Sequence, residues 1–189
     1  MAPPPTVLVQ QLVSRLENAT TSERLDALQE LQSLARAEAK LVGEYALQKV
    51  MDFLKDQGSS EEYQEALDLI DRLIKNRDKD AAMVNTDIIL SVTSNVELLL
   101  DLLEHKDPTV GVMTSQILTE VHANAPSKLE MRIQDCPAGM NKLLQRLPDS
   151  SREEVRNQAI VLVQQLTMHN EEMKKTVGFN EVTIRITNT

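Results

Sequence analysis

The chain has 189 residues, with 20 Lys and Arg against 29 Asp and Glu, for a formal net charge of −9. With two Phe, two Tyr and no Trp, any core must be filled by Leu, Val, Ile, Ala and Met, which favours helices over a sandwich or barrel rich in β-branched and aromatic residues. An acidic chain this short of rings has neither the basic footprint nor the stacking platforms of a nucleic-acid binder. Its single cysteine, Cys136, can form neither an intrachain disulfide nor a paired metal knuckle, and fits a reducing cytosol.

Met1 to Pro5 lacks the basic and apolar regions of a signal peptide, and residues 1–5 are read as a disordered N-terminus. Apolar residues then recur at helical spacing. Val7, Leu8, Leu12 and Leu16 mark a first helix. Leu25, Leu28, Leu31 and Leu34 mark a second, entered through 20–22. Leu41, Ala46, Val50, Met51 and Leu54 mark a third, stopped around Gly58. Ser59 and Glu62 fit a capping box at the head of a helix on Ala66, Leu67, Ile70, Leu73 and Ile74. The stretch 76–95 is the least regular and predicts a loop with one or two helices. Asp107 before Pro108 is an N-cap followed by Pro at the first helical position. Ser151 and Glu154 repeat the capping-box pattern ahead of a helix over 155–168. The longest apolar run, at 159–163, is far short of the roughly 18 residues of a membrane span.

Internal repetition says more than any single helix. A gapless shift of 45 residues lays Leu98, Leu99 and Leu102 on Leu143, Leu144 and Leu147, and Val110, Ile117, Leu118 and Val121 on Val155, Leu162, Val163 and Leu166. A shift of 39 lays Ala27, Leu28, Leu31 and Leu34 on Ala66, Leu67, Ile70 and Leu73. Periods near 40–47 in an all-helical chain are those of armadillo and HEAT arrays, whose units bury their apolar faces by stacking. The expected fold is therefore an all-α, armadillo/HEAT-like α-solenoid of about four units over residues 6–181, with an irregular tail at 182–189. A plain helical bundle is the alternative. Ile160 and Val161 make the 159–163 segment apolar on every side, so a helix covered all round is expected there.

Catalytic chemistry finds no foothold. His105, His122 and His169 have no zinc spacing, and His105 and His169 are expected near helix ends. Cys136 has no base proposed beside it and reads as a structural thiol. The pairs Glu61/Glu62, Glu153/Glu154 and Glu171/Glu172 fall at or near helix starts, where negative charge meets free N–H groups. The charged run 76–80 reads as a solvated loop, and Met113, Met131, Met140, Met168 and Met173 read as core filler. No glycine-rich phosphate loop or nucleophile elbow is present. No enzyme activity, cofactor or metal is expected. What is expected is a binding scaffold. Its third helices are placed at about 46–55, 96–105 and 139–146, lining the inner surface with Gln48, Asp52, Glu97, Asp101, Lys142, Gln145 and Arg146. With no Trp, the ladder by which nuclear-import armadillo proteins hold basic peptides is absent.

The run Cys136-Pro137-Ala138-Gly139-Met140-Asn141-Lys142-Leu143-Leu144, then Asp149-Ser150-Ser151-Arg152-Glu153-Glu154-Val155-Arg156-Asn157, is more specific than a generic repeat. With 162–167, Asn170 and Phe179-Asn180-Glu181 it resembles the globular head of the general vesicular transport factor family, the Golgi vesicle tethers. The likeness is good over about 94–181 and looser over 6–76. It implies an armadillo head that dimerises and works with Rab-family GTPases, golgins and SNAREs in ER-to-Golgi and intra-Golgi transport, in the cytoplasm and peripherally at Golgi membranes. Two departures stand out. A basic residue and a Trp that the family tends to carry are absent at 109–112, and 182–189 alternates where another amphipathic helix would begin. Without the family's coiled coil and acidic tail, the chain reads as a shortened form whose uncapped end predicts self-association or marginal stability. Partner contacts are expected from Lys142, Gln145, Arg146, Arg152 and Arg156. An armadillo-type Hsp70 nucleotide-exchange cofactor or a generic armadillo adaptor is the competing reading, and an enzyme with an unrecognised site a distant third.

Overall fold

Four long helices packed side by side form the backbone of the structure, a computed structural model that describes residues 4–56, 58–136, 138–145, 153–168 and 170–178. In chain order the helices are α1 (Pro5–Asn18), α2 (Thr21–Ala35), α3 (Ala39–Val42), a π-helical turn (Gly43–Leu47), α4 (Gln48–Phe53), α5 (Ser60–Ile74), α6 (Lys79–Ser91), α7 (Thr93–Leu102), α8 (Pro108–Asn124), α9 (Pro126–Asp135), α10 (Gly139–Leu144), α11 (Glu153–Met168) and α12 (171–178). The most extensive contacts run from α2 to α5, α5 to α8 and α8 to α11, a ladder with one rung per unit. No strand occurs among the described residues. This is an all-α solenoid of the armadillo/HEAT kind with about four units. The expectations at 1–3, 146–152, His169 and 179–189 fall outside the described residues.

The first three rungs, α2, α5 and α8, start where their sequence provides a cap. Thr20 and Glu23 form a full capping box on α2, and Ser59 and Glu62 form one on α5. The Asp107 side chain accepts the Thr109 N–H ahead of α8. The expected repeat register is seen in the burial. Val110, Ile117 and Val121 are buried on α8, as are Val155, Leu162 and Leu166 at the matching places on α11. On α5, Ala66, Leu67, Leu69, Ile70, Leu73 and Ile74 are all fully buried. They subtend an arc of roughly 160° at 100° per residue, wider than one neighbour can cover. That is why α5 sits between α2 and α8 and is backed by α6. The irregular stretch 76–95 resolves into a short loop, α6 and the start of α7, and α6 and α7 meet at 92°.

Three expectations are corrected. The segments at 46–55, 96–105 and 139–146 are not the third helices. They precede the long helices that carry the stacking, because a sequence period fixes the repeat length but leaves its phase open. The 159–163 segment is not covered all round, since Ile160 and Val161 are 37% and 41% exposed. The buried residues of α11 span an arc of only about 100°, enough for α8 on one side. Met131 and Met168, expected in the core, are 50% and 61% exposed.

Polar side chains tie the units together through their backbone. Asn76 Nδ2 donates to Ala35 O at the end of α2 (3.3 Å), and Asn124 Nδ2 donates to Ile74 O at the end of α5 (3.0 Å). Buried Asn85 donates to Ala39 O and Leu73 O at 3.2 and 3.1 Å. Its carbonyl lies against Gly43, where the chain enters the π turn, and a Cβ built on Gly43 would sit 1.8 Å from Asn85 Oδ1. Glu62, 1% exposed, falls within the buried arc of α5 and meets Arg24 of α2 at 2.7 Å. Burial would raise the Glu62 carboxyl. The Ser59 N–H, the Arg24 guanidinium and the Ser59 hydroxyl outweigh it and hold the carboxyl below its ordinary value.

Two outcomes are expected. Gly43→Ala forces Asn85 or the π turn to move and should lower unfolding stability by about 1–3 kcal/mol, read by urea melts. A neutral result would mean that the turn yields without strain. Glu62→Gln should cost about 2 kcal/mol at pH 7. Because the folded carboxyl ionises more readily than the unfolded one, the stabilisation is present above about pH 5 and is lost as the pH falls below about 4. The gap between wild type and Glu62→Gln should therefore close on acidification, and a gap that persists at pH 3 contradicts the assignment.

Candidate protein-interaction surface

The short helices that precede the rungs bring the expected polar positions into a row, and most of that row is occupied by internal bonds. Gln48 on α4 and Asn95 on α7 exchange amide bonds, with Asn95 Nδ2 donating to Gln48 Oε1 at 3.0 Å and Gln48 Nε2 to Asn95 Oδ1 at 3.3 Å. Gln48 also donates to Asp52 at 3.2 Å, and Lys55 pairs with Asp52 at 2.7 Å. Burial acts to raise the Asp52 carboxyl, but these bonds prevail and keep it low. One unit further on, Lys142 of α10 bonds Asp101 of α7 and lies 4.0 Å from Glu97. The Asp101 carboxylate holds the Lys142 ammonium above its usual range.

The five expected contact residues thus differ in status. Lys142 is a cross-unit tie with only 23% of its side chain exposed. Gln145 is exposed at the end of α10. Arg156, 29% exposed, contacts Asn157 at 3.4 Å and Glu153 at 3.7 Å. Arg146 and Arg152 lie outside the described residues.

The residues with chemical potential are engaged structurally. Cys136 is 4% exposed, and burial, reinforced by Glu97, pushes its thiol up and suppresses the thiolate a nucleophile needs. His105 Nδ1 accepts the Asp107 N–H at 3.1 Å, and its ring packs against Tyr63. His122 lies 3.6 Å from Glu130, which accepts a bond from Asn170 at 2.8 Å. Glu171 and Glu172 pair with Lys174 and Lys175 within α12. No group of three or more metal-ligating side chains is arranged for a metal ion among the described residues. Nor is any single helix there long and apolar enough to cross a membrane.

Sequence reasoning missed two features. One is the Asn that follows three of the four rungs: Asn76, Asn124 and Asn170 sit at or just past the ends of α5, α8 and α11, and each bonds the neighbouring unit. Their recurrence once per unit was the available signal. The other is a cluster of cations where α2 and α5 end, comprising Arg36, Arg72, Lys75 and Arg77. Its only trace in the sequence is the charged run after Ile74.

No family model matches the chain. It is 34% identical over 184 residues to golgin candidate 6 of Arabidopsis thaliana, covering 90% of this chain and 20% of that protein. The chain is a homologue of golgin candidate 6 and of the general vesicular transport factors. To the human general vesicular transport factor it is 29% identical over 192 residues, covering 94% of this chain and 20% of that one. It therefore spans about a fifth of the length of the curated relatives it matches. In fold it is similar to the crystal structure of Uso1-2, with a TM-score of 0.78 and 19% identity over 98% of this chain and 32% of that one.

The Lys142 tie is half in solvent, since the Asp101 side chain is 58% exposed. Lys142→Met should therefore cost less than about 1 kcal/mol, and the cost should shrink at high salt. A urea melt showing a larger, salt-independent loss would place the pair in a drier setting than described.

Proposed function

We propose that the chain is a non-enzymatic scaffold in vesicle tethering, working through protein–protein contacts in ER-to-Golgi and intra-Golgi transport. The observation that carries this reading is the 34% identity to a golgin candidate over 90% of the chain, on a helical stack in which Cys136 is buried and His105 is engaged in a loop hydrogen bond. The partners proposed are a Rab-family GTPase, golgins and SNAREs, with a homodimer as a further contact. The chain would then reside in the cytoplasm and reach Golgi membranes through those partners. Of the residues expected to touch them, Gln145 and Arg156 stand at the surface end of α10 and the start of α11. A folded stack of this kind offers rigid, repeated faces and needs no cofactor to hold its shape.

The immobilised chain should recover a Rab-family GTPase from cytosol when loaded with a non-hydrolysable GTP analogue and not when loaded with GDP. Absence of any nucleotide-dependent partner, together with acceleration of ADP release from Hsp70, would replace this reading with that of a chaperone cofactor.

A further inference from the structure

Where α2 and α5 end, a groove of about 520 Å³ is lined by Arg36, Arg72, Lys75 and Arg77, with Asp71 the one acid on its wall. This basic lining stands out on a chain of net charge −9. Cations near helix C-termini ordinarily satisfy the last carbonyls, but here that work is done by other groups. Leu34 O accepts the N–H groups of Ala37 and Glu38, while Ala35 O and Ile74 O accept from Asn76 and Asn124. Arg72 and Lys75 each pair with an acid one turn back, Asp68 and Asp71, both at 2.6 Å. The side chains of Arg36 and Arg77 are exposed and make neither a hydrogen bond nor an ion pair with the described residues. Two uncommitted guanidiniums therefore face one groove that two further cations reinforce.

We propose that this groove binds an acidic peptide segment of a partner protein, its carboxylates held by the Arg36 and Arg77 guanidiniums. Planar guanidinium forks match carboxylates in a bidentate way that ammonium groups do not. A second copy of the chain is disfavoured as occupant, because two bodies of charge −9 repel. A bilayer is disfavoured because exposed Glu38, Asp78 and Asp80 adjoin the groove in sequence and would meet its anionic surface, whereas a peptide can place its acids between the arginines. The proposal rests on the chain being a protein-binding scaffold, and gives that scaffold one partner chemistry.

The test is fluorescence anisotropy of a fluorescein-labelled Glu-rich decapeptide with the full chain. Saturable binding that weakens with salt is expected, falling about tenfold or more in Arg36→Ser/Arg77→Ser. Neither side chain carries a structural bond, so circular dichroism melts should be unchanged. Lys174→Ser/Lys175→Ser, on α12, should bind as wild type. The proposal is overturned by an absence of saturable binding, or by equal loss in the α12 variant. It is also overturned if anionic phosphatidylserine vesicles compete better than unlabelled peptide, or if Arg36→Ser/Arg77→Ser instead dissolves a self-associated species in sedimentation. Failed peptide binding with intact GTP-dependent recovery of a GTPase removes the groove alone. The reverse result removes the vesicle role and leaves the groove.

Discussion

No long helix of this chain can bury its apolar face by itself, and that shared requirement organises the rest. On α5 the buried arc runs from Leu69 round to Leu67 and needs α2 on one flank, α8 on the other and α6 behind. Each fully buried Leu or Ile is worth roughly 1.5–3 kcal/mol relative to exposure. The stabilisation therefore exists only when units stack, and shortening any rung removes partners from two neighbours. The capped starts of α2, α5 and α8 fix where those rungs begin and so keep the buried arcs in register along the ladder.

Stacking by apolar contact alone would leave neighbouring units free to slide, since Leu on Leu is tolerant of small shifts. Asparagine amides supply the register. Asn76, Asn85 and Asn124 reach backbone carbonyls of another segment, and a hydrogen bond to a fixed carbonyl has a narrow range of distance and angle. Two of these carbonyls, Ala35 O and Ile74 O, are at helix ends that would otherwise want a partner. One side chain thus satisfies a terminus and locks two units. Glu62 does the same with charge, joining its own helix cap to Arg24 of the preceding rung.

The features legible in the sequence were those governed by local rules. The Ser59–Glu62 capping box, the Asp107–Pro108 start and the 39- and 45-residue registers depend on a residue and its near neighbours, and each is seen in the structure. Features set by what lies across the interface were not legible. The period can be read but not its phase, which is why 46–55, 96–105 and 139–146 read as third helices. Whether Ile160 and Val161 are covered depends on what stands beyond α11, and nothing in their own spacing encodes it. The π turn at Gly43 depends on Asn85, 42 positions away, pressing on a residue that has no Cβ. Of the expected contact residues, Lys142 is already held by Asp101 across the unit, which spacing cannot show.

Which charges are free to bind follows from which charges the stack has already used. Along α4, α7 and α10 the acids and cations neutralise one another, and ties such as Lys142 to Asp101 leave little field for a partner to feel. At the far ends of α2 and α5 the balance differs because asparagines have taken over the capping. Neutral amides satisfy the carbonyls there, so the basic side chains that could have done so are not drawn in. The use of Asn as the inter-unit lock therefore has a second consequence. It leaves guanidinium groups at the surface of an otherwise acidic stack, where a ligand's negative charge meets no internal competitor. In a solenoid, where each unit repeats the same internal bonds, recognition can arise only where that repetition leaves a group over, and Arg36 and Arg77 are such groups.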